Sequence, residues 1–452
     1  MKLPRVLIAG ERSGTGKTTV ATGVMGALVK AGYRVQPFKV GPDYIDPGYH
    51  SKVTGRNSRN IDIWLTSKKA VVESLAEASG DADIAVIEGA MGLYDGISGE
   101  GYKGSSADIA EITSTPVVLV IDSAKLGYSA GAIFKGYKDF GTVNIKGVIV
   151  NNIGSKSHEE IIRHSIDKAG GEILGIIPRD SSVSLPERYL GLIPALEQEE
   201  FSDIIERISK LVEENVALDR IIEIASSAKE LPSIPSEEKK DNSVRIAVAK
   251  DSAFSFYYWD NIDLLKKHGA EIIFFSPLNE TPPDCDGIYI GGGFPEVFRQ
   301  ELSSNKKALR RIKSLFEDEM PIYAECGGLM YLCRNIISEG KSFRMAGVFD
   351  AEVEMTEKLQ ALKYTLARVD LDNIYLKKGS FVKGHEFHYS RIIDIAEDVK
   401  FLYTLQKGAG IKDFRDGLYD KNTLAGYMHI HFRGVEKFPG NFVKACLKYR
   451  RK

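Results

Sequence analysis

Residues 6–19 read VLIAGERSGTGKTT, a five-residue apolar segment that runs straight into a glycine-rich loop. A helical pattern follows the loop and continues to about Lys30. A glycine-rich turn between a strand and a helix lets backbone N–H groups surround a phosphate chain, and the helix N-terminus adds partial positive charge. The segment therefore predicts a P-loop in a parallel α/β domain.

Within this loop, Lys17 is expected to reach the outer phosphates of a nucleotide and the Thr18 hydroxyl to ligate Mg²⁺. The strict GxxxxGK[ST] pattern is not met, because Glu11 stands where its first glycine belongs and Gly10 lies one residue earlier. An ordinary glycine-rich turn is the alternative, and the residues alone leave the nucleotide's identity open. The candidate nucleotide-binding residues are Gly14, Thr15, Gly16, Lys17, Thr18 and Thr19.

Acidic residues follow two further apolar segments of the same half. Asp43 lies in GPDYIDP directly after VQPFKV, Glu88 ends IAVIEG, and Asp95 follows in GLYDG. Loops at the carboxyl ends of strands form the functional edge of an open sheet. Carboxylates there, beside a triphosphate, are suited to holding Mg²⁺. Each acid taken singly could instead cap a turn.

The remaining pattern predicts two α/β domains. Up to residue 230, apolar segments alternate with helical stretches, which is typical of a doubly wound parallel sheet. Residues 231–243 carry prolines and charges without apolar periodicity and are expected to form a linker. A new α/β pattern fills 244–452. The predicted strands are Val6–Gly10, Ala82–Gly89, Pro116–Asp122, Lys146–Asn151, Leu174–Pro178, Val244–Ala249, Ile272–Phe275, Gly287–Ile290 and Pro321–Ala324, with closely spaced strands around 345–370, 381–390 and 423–432.

The second half has a cysteine at a predicted tight turn. PIYAECGGLM places Cys326 between an apolar strand and a helical stretch, which predicts a nucleophile elbow with the thiol at a helix N-terminus. The loop Gly291–Glu296 follows another strand and is expected to offer free backbone N–H donors to an oxyanion. The alternative is an inert core cysteine, the expected state of Cys285, Cys333 and Cys446.

A cysteine nucleophile needs a base, and histidines cluster late in the chain. His385 and His388 lie in GHEFHYS, and His429 and His431 lie in YMHIHF. If 423–432 is a strand, His429 and His431 share a face, as metal ligands can. No cysteine pair or HExxH accompanies them, so a base for Cys326 is favoured over a zinc site.

Composition excludes several classes of protein. Sixty Lys and Arg residues against sixty-two Asp and Glu give a formal charge of −2, which disfavours a dedicated nucleic-acid or membrane-surface protein. Four cysteines without a CxxC pair are too few for a disulfide scaffold. The sequence has no signal-peptide core and no apolar run of the ~20 residues that a membrane span needs, so a cytoplasmic location is expected.

Taken in order, these motifs resemble one family over nearly the whole chain, from about residue 5 to 435. SGTGKTT, QPFKVGPDYIDPGYH, SRNIDIWL, IEGAMGLYDG, GGGFPE, YAECGGLMYL, GHEFHYS and YMHIHF together are similar to the cobyrinic acid a,c-diamide synthases. Close relatives in methanogens act on nickel-sirohydrochlorin. The resemblance implies an N-terminal P-loop domain of the dethiobiotin-synthetase type and a C-terminal class I-like glutamine amidotransferase domain.

By this resemblance, the chain uses ATP with Mg²⁺ and glutamine to amidate the a and c acetate side chains of a tetrapyrrole through an acyl phosphate. Thr18, Glu88 and Asp43 are the implied metal-site residues, and Cys326 is the implied glutamine-attacking nucleophile. His429 is favoured over His431 as its activating base. The loops that handle the substrate carboxylates match Asp43, Tyr44, Ile45 and Asp95. A homodimer is left open.

One departure concerns the third member of the catalytic set. Many class I amidotransferases have a glutamate two residues after the catalytic histidine, whereas His431 and Arg433 occupy those positions here. The sequence therefore names no group that orients the base. Two rival functions also stay open: a cobyric acid synthase, which amidates other corrinoid side chains, and a P-loop switch of the partitioning-ATPase type without amidotransferase activity.

Overall fold

The computed structural model describes residues 1–180, Val183, 198–232 and 244–452. The chain divides into two compact units, one made of Met1–Ile63 with Ser67–Pro235 and the other of Trp64–Thr66 with Ser236–Lys452. Most of the predicted linker, 233–243, lies outside the described residues. In the described part, no helix is long and apolar enough to cross a membrane.

The first unit has a seven-stranded parallel sheet with the order β3-β2-β4-β1-β5-β6-β7, which confirms the predicted parallel α/β class. Its strands are β1 (Arg5–Gly10), β2 (Val35–Val40), β3 (Arg59–Ile61), β4 (Ile84–Gly92), β5 (Val117–Asp122), β6 (Ile145–Ile153) and β7 (Ile173–Pro178). Its helices are α1 (Lys17–Lys30), α2 (Ile45–Thr54), α3 (Lys68–Ala78), α4 (Ser106–Ile112), α5 (Ser129–Phe140), α6 (Lys156–Lys168), α7 (Gln198–Asn215) and α8 (Leu218–Ser226).

Burial on both faces explains why these strands contain continuous apolar runs. All six residues of β1 and all six of β2 are buried, as is typical of a parallel sheet covered by helices. β4 extends three residues beyond the predicted end at Gly89, and its register with β1 shifts between Ile8 and Gly10. The carboxyl ends of β1, β2 and β4 meet at one edge, and the P-loop, Glu88 and the Asp43 loop therefore lie together.

Arg5 is a fully buried cation that ties the start of β1 to two distant segments. Its guanidinium donates to the carbonyl oxygens of Leu3 at 2.9 Å, Thr113 at 2.6 Å and Lys229 at 2.5 Å, and to the Thr115 hydroxyl at 3.1 Å. Burial lowers the pKa of Arg5 to about 10. The side chain stays charged at neutral pH and satisfies carbonyl groups that water cannot reach.

We expect Arg5→Met to lower the free energy of unfolding of the first unit by about 3 kcal/mol, because the buried carbonyls lose their donors. Chemical denaturation monitored on this unit's transition measures the change. Arg163→Met is the matched control, because Arg163 is half exposed and pairs only with Glu159 one helical turn away among its described contacts. An equal effect of the two substitutions would contradict the structural role of Arg5.

The second unit has a nine-stranded sheet with the order β10-β8-β11-β13-β22-β21-β20-β17-β18. The pairs from β10 to β22 are parallel and those from β22 to β18 antiparallel. Its strands are β8 (Val244–Ala249), β9 (Phe254–Phe256), β10 (Ala270–Phe275), β11 (Gly287–Ile290), β12 (Gly292–Gly293), β13 (Ile322–Glu325), β14 (Asn335–Ser338), β15 (Lys341–Arg344), β16 (Ala351–Met355), β17 (Ala361–Val369), β18 (Phe381–His388), β19 (Ser390–Ile395), β20 (Lys400–Lys407), β21 (Arg415–Asp420) and β22 (Thr423–Gly426). Its helices are α9 (Trp259–Lys267), α10 (Arg299–Ser304), α11 (Lys306–Glu317), α12 (Gly327–Leu332) and α13 (Lys437–Arg450).

The predicted strand at 423–432 is wrong beyond Gly426, where β22 ends. Side chains replace the strand ladder in the segment that follows. The Asp416 carboxylate accepts hydrogen bonds from the backbone N–H groups of Tyr427 and Met428 at 3.0 and 2.9 Å. Asn261 donates to the Ile430 carbonyl at 2.7 Å and accepts from the Phe432 N–H at 2.7 Å. The alternation argument for His429 and His431 therefore does not apply.

Candidate active sites

The P-loop of the first unit requires glycine at several positions. Gly14 and Gly16 have positive φ values of 77° and 80°, and α1 begins immediately after Gly16. A Cβ on Gly16 would lie 2.2 Å from the Asn151 side-chain nitrogen, which donates to the Thr15 carbonyl at 3.0 Å. A Cβ on Gly10 would lie 2.5 Å from the Thr15 hydroxyl oxygen. Gly10 therefore occupies a close-packed position, although it is displaced by one residue from the usual pattern.

Glu88 contacts several polar side chains at the carboxyl edge of the first sheet. Its carboxylate is fully buried, and its Oε1 accepts from the Thr18 hydroxyl at 2.7 Å and from Lys39 Nζ at 2.8 Å. Lys17 Nζ lies 3.4 Å from the same oxygen, and His50 Nε2 lies 2.7 Å from Oε2. The predicted metal-site acid and the predicted phosphate lysine are thus neighbours.

Burial and the neighbouring charges together set the pKa values of the side chains in this cluster. Burial opposes ionisation of Glu88, but Lys39 and Lys17 hold its pKa well below the usual range. Burial likewise disfavours the charged form of Lys39, yet Glu88 and Asp46, 2.7 Å away, raise its pKa overall. Burial and the neighbouring Lys39 lower the pKa of Lys17. Asp46 has its pKa raised to about 6 by burial and by Glu88.

The predicted substrate residues stabilise their own loops. Asp43 Oδ1 accepts from the Ile45 N–H at 2.8 Å, where α2 begins next to Tyr44. Asp95 Oδ2 accepts from the Gly92 N–H at 2.9 Å. Each carboxylate therefore has the turn-stabilising role that the sequence left as the alternative.

The donor set of this edge fits Mg²⁺ and a nucleotide. Mg²⁺ is usually held by oxygen ligands from one or two carboxylates together with substrate phosphates. Glu88 supplies one carboxylate and Thr18 a hydroxyl oxygen 2.7 Å from it. The buried Thr15 hydroxyl has no hydrogen-bond partner among the described residues. No group of three or more His, Cys, Asp or Glu side chains able to hold a metal ion is found among those residues.

In the second unit, Cys326 lies on the turn between β13 and α12 with φ 48° and ψ −101°. Its thiol is 3.6 Å from the Phe387 carbonyl oxygen, and its N–H donates to the Gly426 carbonyl at 2.7 Å. A Cβ on Gly328 would approach the Ile290 carbonyl oxygen to 2.4 Å. The strained turn and the close packing of the following glycines give the elbow geometry that the sequence predicts.

His429 lies beside this cysteine. It forms an isolated β-bridge with His385, with two N–H···O distances of 3.0 and 2.8 Å. Its Nδ1 is 3.6 Å from Glu325 Oε2. Burial would lower the pKa of His429, but Cys326 and Glu325 raise it to about 10. These contacts favour the protonated form of the His429 ring.

His431 contacts a different carboxylate. Its Nε2 lies 3.9 Å from Asp260 Oδ2, its Nδ1 accepts from the Arg433 N–H at 3.3 Å, and its ring centroid lies 4.9 Å from that of Tyr258. Arg433 also donates to Asp260. His429 and His431 therefore contact different carboxylates, Glu325 and Asp260.

His388 packs as a neutral ring. It stacks on Tyr427 with a centroid distance of 3.7 Å, and its Nδ1 lies 2.8 Å from the Ser390 carbonyl oxygen. Because a carbonyl only accepts, Nδ1 must carry the proton. Burial lowers the pKa of His388 to about 4.

The expectation of free N–H donors in the triple-glycine loop is wrong for Gly291. Its N–H donates to the Tyr257 hydroxyl at 2.8 Å. Gly292 and Gly293 form β12, which pairs with β9. The loop still lies close to the Cys326 turn and to His429, because a Cβ on Gly292 would approach His429 Cε1 to 2.6 Å and one on Gly327 would approach the Gly293 nitrogen to 3.0 Å.

Sequence reasoning missed three members of these sites. Asp46 and His50 belong to the same PDYIDPGYH segment as Asp43. Their closeness to Asp43 in the sequence could have indicated that they belong to the same site. Glu325 immediately precedes Cys326, but a strand residue next to a nucleophile gives no indication of which way its side chain points.

The two sites define the class of protein: one chain carries a nucleotide-binding unit and a glutamine amidotransferase unit. Residues 6–193 match the CobQ/CobB/MinD/ParA nucleotide binding domain, and residues 245–437 match the CobB/CobQ-like glutamine amidotransferase domain.

The similar curated proteins name the family. The chain is 43% identical to the cobyrinate a,c-diamide synthase of Methanosarcina acetivorans over 99% of this chain and 96% of that one. It is 42% identical to the Archaeoglobus fulgidus enzyme of the same name, over 99% and 98%. Identity to the Listeria monocytogenes enzyme of that name (serovar 1/2a) is 44%, over 95% and 96%. The chain belongs to the cobyrinate a,c-diamide synthase family.

Proposed function

We propose that this protein uses ATP and glutamine to convert the a and c acetate carboxylates of a tetrapyrrole, cobyrinate or nickel-sirohydrochlorin, into amides. The observation that carries the proposal is the presence in one chain of the Lys17–Glu88 phosphate loop and the Cys326–His429 pair. The names of its relatives support the tetrapyrrole substrate. The amidotransferase domain argues against a partitioning-type switch, which needs no cysteine nucleophile.

In the first unit, a substrate carboxylate would attack the γ-phosphorus of ATP, and the bond to the ADP oxygen would break. Lys17 is the residue to stabilise the transferring phosphoryl group, with the P-loop backbone N–H groups holding the phosphates. Thr18 and Glu88 would hold Mg²⁺, which supplies charge neutralisation when bound. Asp43 is the remaining candidate metal-site residue. Ammonia would then attack the acyl carbon, and inorganic phosphate would leave.

In the second unit, the Cys326 thiolate would attack the carboxamide carbon of glutamine. His429 would give its proton to the leaving nitrogen, which departs as ammonia, and would then take a proton from the water that hydrolyses the thioester. His431 contacts Asp260 and Arg433, so we assign the base to His429. Asp43, Tyr44, Ile45 and Asp95 remain the proposed substrate-handling residues.

Mass spectrometry of the products tests the substrate. The protein is incubated with ATP and glutamine and, separately, with cobyrinate or nickel-sirohydrochlorin. Two amidation steps on one of them are expected, and the substrate that reacts identifies the metal. More than two steps on a corrinoid would favour the cobyric acid synthase alternative, and no amidation of either substrate would refute the proposal.

A further inference from the structure

A buried carboxylate lies directly beside the proposed nucleophile and base. Glu325 is the last residue of β13, its side chain is fully buried, and its Oε2 lies 3.6 Å from His429 Nδ1. The next residue in the chain is Cys326. The proposed nucleophile and a carboxylate are therefore neighbours at the end of β13. The backbone N–H of Ile430 also contacts this carboxylate.

Three donors hold this carboxylate in place. Oε2 accepts from the Tyr289 hydroxyl at 3.0 Å, and Oε1 accepts from the Tyr323 hydroxyl at 2.6 Å and from the Ile430 N–H at 2.9 Å. A buried carboxylate without such partners would carry a large desolvation penalty. The Ile430 contact also fixes the backbone one residue after His429, so the same carboxylate approaches the ring and binds its loop.

We propose that Glu325 is the positioning residue that orients His429 toward Cys326 and stabilises the protonated imidazole. This inference rests on the proposed glutaminase reaction. The carboxylate takes no proton in that reaction; its charge stays opposite the imidazolium while the thiolate attacks and while the proton passes to the leaving nitrogen. Glu325, from the strand that precedes the nucleophile, would take the place of the glutamate that many class I amidotransferases have two residues after the catalytic histidine.

Asp416 accepts from the backbone N–H groups of Tyr427 and Met428, just before His429, and burial raises its pKa to about 6. The phenols near the pair add no negative charge at neutral pH. Burial raises the pKa of each nearby phenol, so the phenols stay neutral. Burial also keeps His388 uncharged. The ring of His385 lies 6.4 Å from that of His429, centroid to centroid. The phenols are Tyr257, Tyr289, Tyr323 and Tyr403.

Glu325→Gln tests this role, because it keeps the shape of the side chain and removes the charge. In the full-length protein, we expect kcat for glutamine hydrolysis to fall at least ~100-fold with little change in KM, since replacing the equivalent acid of a serine protease triad costs about 10⁴. Ammonia-dependent amidation should be unaffected. Glu325→Asp should restore part of the loss.

The pH dependence of Cys326 alkylation by iodoacetamide gives a second readout. In the wild type, Cys326 and Glu325 raise the pKa of His429 to about 10, so the ring that faces the thiol is protonated at neutral pH. In Glu325→Gln the imidazolium is less stable, and the alkylation midpoint should rise relative to the wild type. A residue with only a structural role would not move this midpoint.

Glu386→Gln is the matched control, because Glu386 is also fully buried and accepts from the backbone N–H groups of Ala409 and Gly410. It should leave the alkylation midpoint unchanged. A folded Glu325→Gln variant with wild-type kcat and midpoint would overturn the inference. If that variant does not fold, wild-type kcat and midpoint in Glu325→Asp would overturn it. Absence of glutamine hydrolysis in the wild type would instead refute the proposed function.

Discussion

Cys326→Ala is expected to abolish amide formation from glutamine, by a factor of about 10⁴ or more, while added ammonia still supports it. The sulfur is the only atom of this residue that can form the thioester, and alanine removes it without changing the backbone of the turn. Nothing in the phosphate site depends on the thiol, because Lys17, Lys39 and Glu88 are held by one another. Product formation is measured with each nitrogen source in turn.

Cys333→Ala is the matched control for this experiment. Cys333 is a fully buried thiol at the end of α12, and burial raises its pKa, so it is expected to be unreactive. Its substitution should leave both nitrogen sources effective. Loss of the ammonia-dependent reaction in a folded Cys326→Ala variant would show that the two half-reactions cannot be separated.

Lys17→Ala is expected to lower amide formation from both glutamine and ammonia, by about 10³-fold. Removing one preorganised charge from a transferring phosphoryl group costs ~10²–10³ in rate, and weaker nucleotide binding adds to the loss. Glu88 keeps Lys39, Thr18 and His50 as partners, so the site should stay folded. The alkylation rate of Cys326 should not change.

Lys30→Ala provides the comparison on the same helix, because Lys30 is exposed in the last turn of α1. It should retain activity with both nitrogen sources. If Lys17→Ala kept wild-type amidation with ammonia, the phosphate loop would not be the site at which the carboxylate is activated.

Much of the fold could be predicted because its signals are local. The strand–loop–helix around Lys17 and the apolar runs of β5 and β11 follow from burial of a parallel sheet, and the structure agrees with them to within a few residues. The segment after Gly426 could not be predicted in this way. Apart from the single bridge between His429 and His385, its backbone groups bond to side chains that are distant in sequence, those of Asp416, Asn261 and Glu325. Its apolar alternation therefore indicated a strand that does not continue beyond Gly426.

The sequence by itself determined the residue types that carry the proposed chemistry: a lysine and a threonine after a glycine-rich loop, a cysteine on an elbow and late histidines. These follow from motifs within about ten residues of chain. Only the tertiary structure decided their partners. It brought Glu88 to Lys17, Lys39 and His50, His429 to Cys326 and Glu325, and His431 to Asp260. The physical reason is that side-chain direction and long-range strand order, which no local pattern encodes, determine which charges meet in a buried site.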